Sequence, residues 1–298
     1  MRIAVTGLHG QVVSALRARA QALGVDIVAV GRPELDLARY GTALTALTGV
    51  RPDAIVNAAA YTAVDRAEKE TTLAYQINAT GAGEVASAAQ RLRVPLVHLS
   101  TDYVFDGKKA TPYVETDPIS PLNVYGETKA AGEKIIAGQT SDYTILRTSW
   151  IYSPFGQNFV RTILSLAKHR GVIDIVADQR GAPTSALDIA EGIVAVARNL
   201  INRPNEEALR GLFHMTAAGE TTWAGFGEAI FAASKEAGGP FATIRPIASK
   251  DYMQAAKRPA NSRLDCKKIA QIHGVRLPDW RSSLNLSVEQ IVNAEIAG

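Results

Sequence analysis

Apolar residues in this chain fall into short, nearly unbroken runs, separated by longer stretches in which they recur every three or four positions. Arg2–Thr6, Asp26–Val30, Ala54–Asn57, Pro95–Leu99 and Tyr143–Thr148 are such runs. They are too uniformly apolar for strands with one wet face, so they belong in the middle of a parallel sheet covered on both sides. Between them the spacing predicts a helix beginning near Gln11, a long one over Thr72–Leu92 and another over Tyr125–Ala137. Buried strands alternating with helices imply right-handed crossovers and an α/β fold, a doubly wound parallel sheet of Rossmann type. Beyond Trp150 the pattern loosens. Helical segments Phe159–His169, Ala186–Leu200 and Trp223–Ala237 alternate there with short strands Ile173–Val176, Leu212–Thr216 and Thr243–Pro246.

The first strand runs straight into Gly7-Leu8-His9-Gly10-Gln11-Val12-Val13. Gly7 and Gly10 let the backbone approach a pyrophosphate, which would rest on the N-terminus of the helix beginning near Gln11. Val13 stands where the dinucleotide fingerprint has its third glycine, a position that governs helix packing more than phosphate contact. The second strand ends at Gly31-Arg32. An arginine there accommodates a 2′-phosphate, so Arg32 favours NADPH over NADH, although an arginine after a strand is also an ordinary surface residue. These features divide the chain into a dinucleotide-binding domain over 1–150 and a smaller C-terminal substrate-binding subdomain over 151–298, interleaved with the last elements of the main sheet.

Two runs carry candidate chemistry. Ser100-Thr101-Asp102-Tyr103 follows a buried strand and places hydroxyls at its C-terminal end, where open α/β sheets bind ligands. Tyr125-Gly126-Glu127-Thr128-Lys129 opens a helix and puts an ammonium one turn from a phenol. A fixed positive charge favours phenolate, so Lys129 is expected to lower the pKa of Tyr125 and make it a general acid near neutral pH. A tyrosine and a lysine at this spacing are also a common surface pair. Arg258 and Arg263, in the loop Arg258-Pro259-Ala260-Asn261-Ser262-Arg263, suit a phosphate-bearing ligand or are two solvated arginines before a helix near Leu264.

Composition narrows the classes. With 298 residues, 47% of them hydrophobic, the chain can bury a full core. The net charge of +3 is small, and no basic stripe interleaved with aromatics marks a nucleic-acid partner. A single cysteine, Cys266, leaves no intrachain disulfide or cysteine cluster for zinc and suits a reducing compartment. No apolar run is long enough to span a membrane, and no signal-peptide pattern opens the chain. A cytoplasmic protein without a membrane partner is expected.

Taken together, the Gly-rich first turn, Asn57-Ala58-Ala59-Ala60, Ser100-Thr101-Asp102-Tyr103-Val104-Phe105-Asp106-Gly107, Pro121-Leu122-Asn123-Val124-Tyr125-Gly126 with Lys129, Arg147-Thr148-Ser149-Trp150 and Gly181-Ala182-Pro183-Thr184 resemble the extended short-chain dehydrogenases/reductases. The resemblance covers nearly the whole chain and implies NADPH-dependent reduction, with NADH as the alternative donor, of the C4 carbonyl of a dTDP-linked 6-deoxy-4-ketohexose. It implies Thr101, Tyr125 and Lys129 as the catalytic set. It also implies Gly10, Gln11 and Val12 at the cofactor phosphates, Asp36 and Leu37 at its adenine side, and Ala59, Ala60, Tyr61 and Leu99 along the rest. Thr101, Asp102 and Trp150 would face the sugar nucleotide; Tyr103 and, from the later loop, Arg258, Asn261 and Arg263 are further candidates for that contact.

Related sugar-nucleotide dehydratases follow the threonine with Asp-Glu; Asp102-Tyr103 supplies no second carboxylate, so reduction fits better. Other 4-ketosugar reductases, and a non-catalytic dinucleotide-binding regulatory subunit, are the alternatives. Some relatives form a metal-bridged dimer through an acidic residue in the first helix. Here that helix has Ser14 and Ala15, and Asp188 alone makes a poor site, so no metal and a monomer or metal-independent homodimer are expected.

Overall fold

The structure is a computed structural model that describes residues 1–296; the last two residues of the expected second unit lie outside it. Six strands form the main sheet: β1 (Arg2–Thr6), β2 (Asp26–Val30), β3 (Ala54–Asn57), β4 (Leu96–Thr101), β5 (Tyr143–Thr148) and β6 (Gly211–His214). Their order is β6-β5-β4-β3-β1-β2, and every neighbouring pair is parallel. The order reverses between β1 and β3. At such a switch point the loops leaving the two strands diverge and open a crevice.

Alternate residues of each strand feed different cores, as a period of two requires. Ile3 and Val5 of β1, Ala54 and Val56 of β3 and Val97 and Leu99 of β4 join one cluster. It is closed by α1 (Gln11–Arg19) and by the long helix Ala186–Asn202. Ala4, Ile55 and Leu96 face the opposite cluster, built with helices Thr42–Val50 and Gly81–Leu92 and with α2 (Val124–Gln139). Both faces of the sheet are thus dry, which explains the unbroken apolar runs. A separate core joins helices Phe159–Ala167, Trp223–Glu236 and Trp280–Ile296 with strand Val172–Val176. Helix Ala186–Asn202 and β6 lie beyond residue 150 yet belong to the main sheet and its cover.

The single helix expected over Thr72–Leu92 is interrupted. Thr71–Tyr75 and Gly81–Leu92 are α-helical, but Gln76–Thr80 is a π-helical turn. Asn78 explains it. Its side chain is buried, accepts from Tyr61 N (2.7 Å), and donates to Tyr61 O and to Thr128 Oγ1 (both 3.0 Å). A wide turn aims the amide at two other segments, a use to which such turns are often put near functional sites. The helix expected near Leu264 begins at Lys267, because Leu264 instead bridges to Tyr113. Among the described residues, no helix is long and apolar enough to cross a membrane.

Candidate active site

A cavity of about 630 Å³ opens at the C-terminal ends of β1, β3 and β4. Gln11 and Val12 at the start of α1, Ala58 and Ala60 after β3, and Leu99 with Ser100 at the end of β4 form one part of its wall. Thr101, Asp102, Tyr103, Tyr125, Lys129, Trp150, Phe159, Trp223 and Arg258 are among those that line another part.

The dinucleotide end fits the proposed ligand on backbone grounds. Gly7 has φ +98°, a conformation that side chains rarely adopt. The α1 N-terminus is capped by Gly10 without a side-chain hydrogen bond, leaving the first N–H groups of the helix for an anion. The Gln11 side chain is occupied otherwise: Oε1 accepts from Ser153 Oγ at 2.9 Å and Nε2 donates to Ile151 O at 3.4 Å. Thr6 Oγ1 accepts from the backbone N–H groups of Ala58 (3.1 Å) and Ala59 (3.0 Å), pinning the loop after β3.

The reactive end is built on β4 and α2. Asn123 caps α2 by accepting from Gly126 N (2.8 Å), and its Nδ2 donates to Lys257 O (2.7 Å), which ties the start of that helix to a loop far along the chain. A Cβ at Gly126 would lie 2.2 Å from Tyr103 O, so this glycine lets the first turn of α2, and with it Tyr125, press against the 102–104 turn. The Tyr103 and Tyr125 rings meet edge to face, 5.8 Å apart. Lys129 is buried and donates to Leu99 O at 2.7 Å. One turn further, Glu133 accepts from Ser100 Oγ (2.5 Å) and pairs with Arg147 through both oxygens (2.9 and 2.6 Å).

The shift expected at Tyr125 is not the one found: its pKa is raised, not lowered. Burial, reinforced by the charge of Asp102, pushes the phenol up to about 12, while a hydrogen bond with the Thr101 side chain pulls the other way. Lys129 is itself lowered to about 8 by burial, with Glu133 opposing. Loss of solvent dominates both groups, and Lys129 Nζ faces Leu99 O and His98 Nε2. Tyr125 accordingly keeps its proton through the neutral range. Asp102 is also buried, which raises its carboxyl to about 7 against the Ser262 and Thr101 hydroxyls. Its Oδ1 accepts from Thr101 Oγ1 at 3.0 Å.

Trp150 adopts φ +47° and stacks on Trp223, ring centres 3.7 Å apart. A Cβ at Gly181 would lie 2.5 Å from the Trp150 ring, so the Gly-Ala-Pro-Thr segment leaves room for that indole. A second cavity of about 310 Å³, between helix Phe159–Ala167 and strand Val172–Val176, shares Phe159, Trp223 and Arg258 with the first. Arg258 is held by Asp65 of helix Val64–Ala67 at 2.7 Å.

Not every residue singled out from sequence lines this wall. Arg32 is exposed after β2. Asp36 turns its own loop through Ala38 N (3.0 Å), Leu37 packs over Gly81, and the Tyr61 hydroxyl donates to Glu70 (2.6 Å). Asn261 and Arg263 are engaged elsewhere: Asn261 donates to Lys109 O and Thr111 O, and Arg263 binds Asn261, Glu220 and Ala110 O. They fasten their loop to the 106–113 segment. Conversely, Trp223, Phe159, Asn78 and Asp65 escaped the sequence reading. Thr221-Thr222 before an apolar-periodic helix was the one available signal, since it places Trp223 in a first turn.

A Rossmann-type sheet with a half-buried Tyr125 and a buried Lys129 beside Thr101 at its switch point defines the class of extended short-chain dehydrogenases/reductases. Comparison with known sequences is more specific: residues 1–293 match the family described as RmlD substrate binding domain, and the chain belongs to it. The dTDP-4-dehydrorhamnose reductase of Sinorhizobium fredii is 45% identical over 283 residues, 95% of each chain. That of Burkholderia thailandensis is 43% identical over 98% of this chain and 100% of its own. Among solved structures, dTDP-4-dehydrorhamnose reductase from Bacillus anthracis in complex with NADP superposes with a TM-score of 0.87 at 34% identity, covering 96% of this chain and 98% of the other.

Proposed function

We propose that this protein is a cytoplasmic, NADPH-dependent reductase of the C4 keto group of dTDP-4-dehydro-L-rhamnose, giving dTDP-L-rhamnose. The observation that carries this reading is one cavity with the α1 N-terminus, free of a side-chain cap, at one end and Thr101, Asp102, Tyr125 and Lys129 at the other. The α1 N-terminus, the Gly7 turn and the backbone after β3 would hold the dinucleotide, which supplies the hydride when bound. NADPH is the donor in this reading, with NADH as its alternative.

Tyr125 donates its proton to the oxygen developing at C4 of the sugar. Thr101 hydrogen-bonds that oxygen and orients it. Lys129, when charged, stabilises the phenolate left behind. Asp102 and the Trp150 indole face the sugar. Arg258, at the junction of the two cavities, would meet the diphosphate, and the 310 Å³ cavity, with Phe159, Trp223 and Tyr252 in its wall, suits the thymine ring.

The test is NADPH absorbance during incubation of pure protein with dTDP-4-dehydrorhamnose, repeated with NADH. Rapid oxidation supports the reading and ranks the donors. Dinucleotide binding without oxidation points to another ketosugar or to a regulatory subunit. A monomer or metal-independent dimer is part of the proposal, because Asp188 is already bonded to Ser283 Oγ (2.6 Å). Light scattering should give one mass with and without magnesium.

A further inference from the structure

A chain of buried hydrogen bonds runs from β1 to Lys129, and its directions are fixed. Thr6 Oγ1 accepts two backbone N–H groups, so its own proton goes to Asn57 Oδ1 at 2.7 Å. The Asn57 amide is thereby turned with Nδ2 toward His98 Nδ1, at 3.0 Å. An amide nitrogen only donates, so Nδ1 of His98 carries no proton. The ring is fully buried and neutral, because burial and then the Lys129 charge hold its pKa well below the ordinary histidine value. Its one proton therefore sits on Nε2, which faces Lys129 Nζ at 3.2 Å.

An N–H pointing at Lys129 needs an acceptor. An uncharged amine has one lone pair and still keeps a proton for Leu99 O; an ammonium has no lone pair and loses the His98 bond. Resting on the catalytic role read above for Lys129, we propose that His98, locked with its proton on Nε2 by Thr6 and Asn57, is a positioning residue that favours the uncharged amine of Lys129 and so sets the alkaline limit of the reaction. The other groups facing Lys129 do not supply this bias. Glu133, on its own helix, favours the ammonium but is committed to Arg147 of β5 through both oxygens. Asp102 after β4 would favour the ammonium when ionised, and Tyr125 stays neutral well above pH 8.

Two nearly isosteric changes reverse the chain by different means. Asn57→Asp offers His98 a carboxylate oxygen, draws the proton to Nδ1 and leaves Nε2 as an acceptor for the ammonium. Thr6→Val adds no charge and frees the Asn57 amide to turn over, with the same effect on His98. The experiment reads the His98 proton directly by ¹⁵N NMR of the cofactor-free protein, and the Lys129 midpoint by ¹³Cε NMR, assigned with Lys129→Arg. The wild-type proton should lie on Nε2. The Lys129 midpoint should rise by about one pH unit or more in Asn57→Asp and less, in the same direction, in Thr6→Val. The alkaline limb of kcat/KM should follow.

A wild-type proton on Nδ1 overturns the proposal even if neither variant folds. So does a rise in Asn57→Asp with none in Thr6→Val, which would be the new charge alone. Since the NMR readouts need no substrate, an inactive protein with the predicted Lys129 shifts would count against the reductase reading and not against the relay.

Discussion

The two walls of the cavity hold their charges in opposite ways. Behind the β4–α2 wall, Arg147 of β5 and Glu133 of α2 are 4% and 7% exposed and pair through both carboxylate oxygens. On the facing wall, Arg258 and Asp65 are 19% and 46% exposed, and the arginine lies at the junction of the two cavities. A buried pair is costly to break because the survivor is left as a lone charge without water. A half-exposed pair costs little to exchange. In the proposed reaction the first wall would therefore be a rigid frame for proton transfer, and the second a set of contacts that a charged ligand can re-partner.

The largest effect should come from the frame's reactive group. Tyr125→Phe removes the proton and leaves the ring, so kcat should fall by about 10² to 10⁴ while NADPH affinity, read by fluorescence titration, stays near wild type. Near wild-type turnover would remove Tyr125 from the chemistry. Next is the frame itself. Arg147→Met strands Glu133 and should cost about 3–5 kcal/mol in denaturant unfolding. Adding Glu133→Leu should return much of that loss; if the double variant is no more stable than the single one, the pair is not the unit described.

A smaller effect is expected where the second wall is built. Gly181→Ala places a methyl group in the space of the Trp150 ring and should destabilise by about 1–3 kcal/mol. It should raise KM for the sugar nucleotide more than it lowers kcat, because the indole moves while Tyr125 and Lys129 do not. Equal losses in both would tie Trp150 to the chemical step.

The same division decides what could be read from the sequence. The first wall is carried by regular elements whose periodicity is local: apolar strands, the Gly7 turn, and Tyr125 with Lys129 one helical turn apart. The second wall depends on partners far apart in the chain, such as Trp150 with Trp223 or Arg258 with Asp65. No periodic pattern pairs them. Asn78 sat inside a helical pattern, and only its contacts with Tyr61 and Thr128 explain why the helix widens there. The direction of the Tyr125 shift was also beyond the sequence. Spacing placed an ammonium near the phenol, but burial, which spacing does not report, dominates both groups.

The smallest effect expected is also the sharpest probe of the second wall. Asp65 accepts from Ala256 N through Oδ1 at 3.0 Å and holds the Arg258 guanidinium mainly through Oδ2. Burial works against its ionisation, but the Ala256 bond and Arg258 together keep its carboxyl below the usual range. Asp65→Asn retains an acceptor for Ala256 and removes the charge that competes with a diphosphate. Stability should change by no more than about 1 kcal/mol. KM for dTDP-4-dehydrorhamnose should fall by roughly two- to fivefold, since Arg258 no longer has to leave an anion to reach the ligand. Arg258→Ala should move KM the other way. A rise in KM for both would make Asp65 the residue that aims Arg258 at the ligand, and would leave the second wall as preorganised as the first.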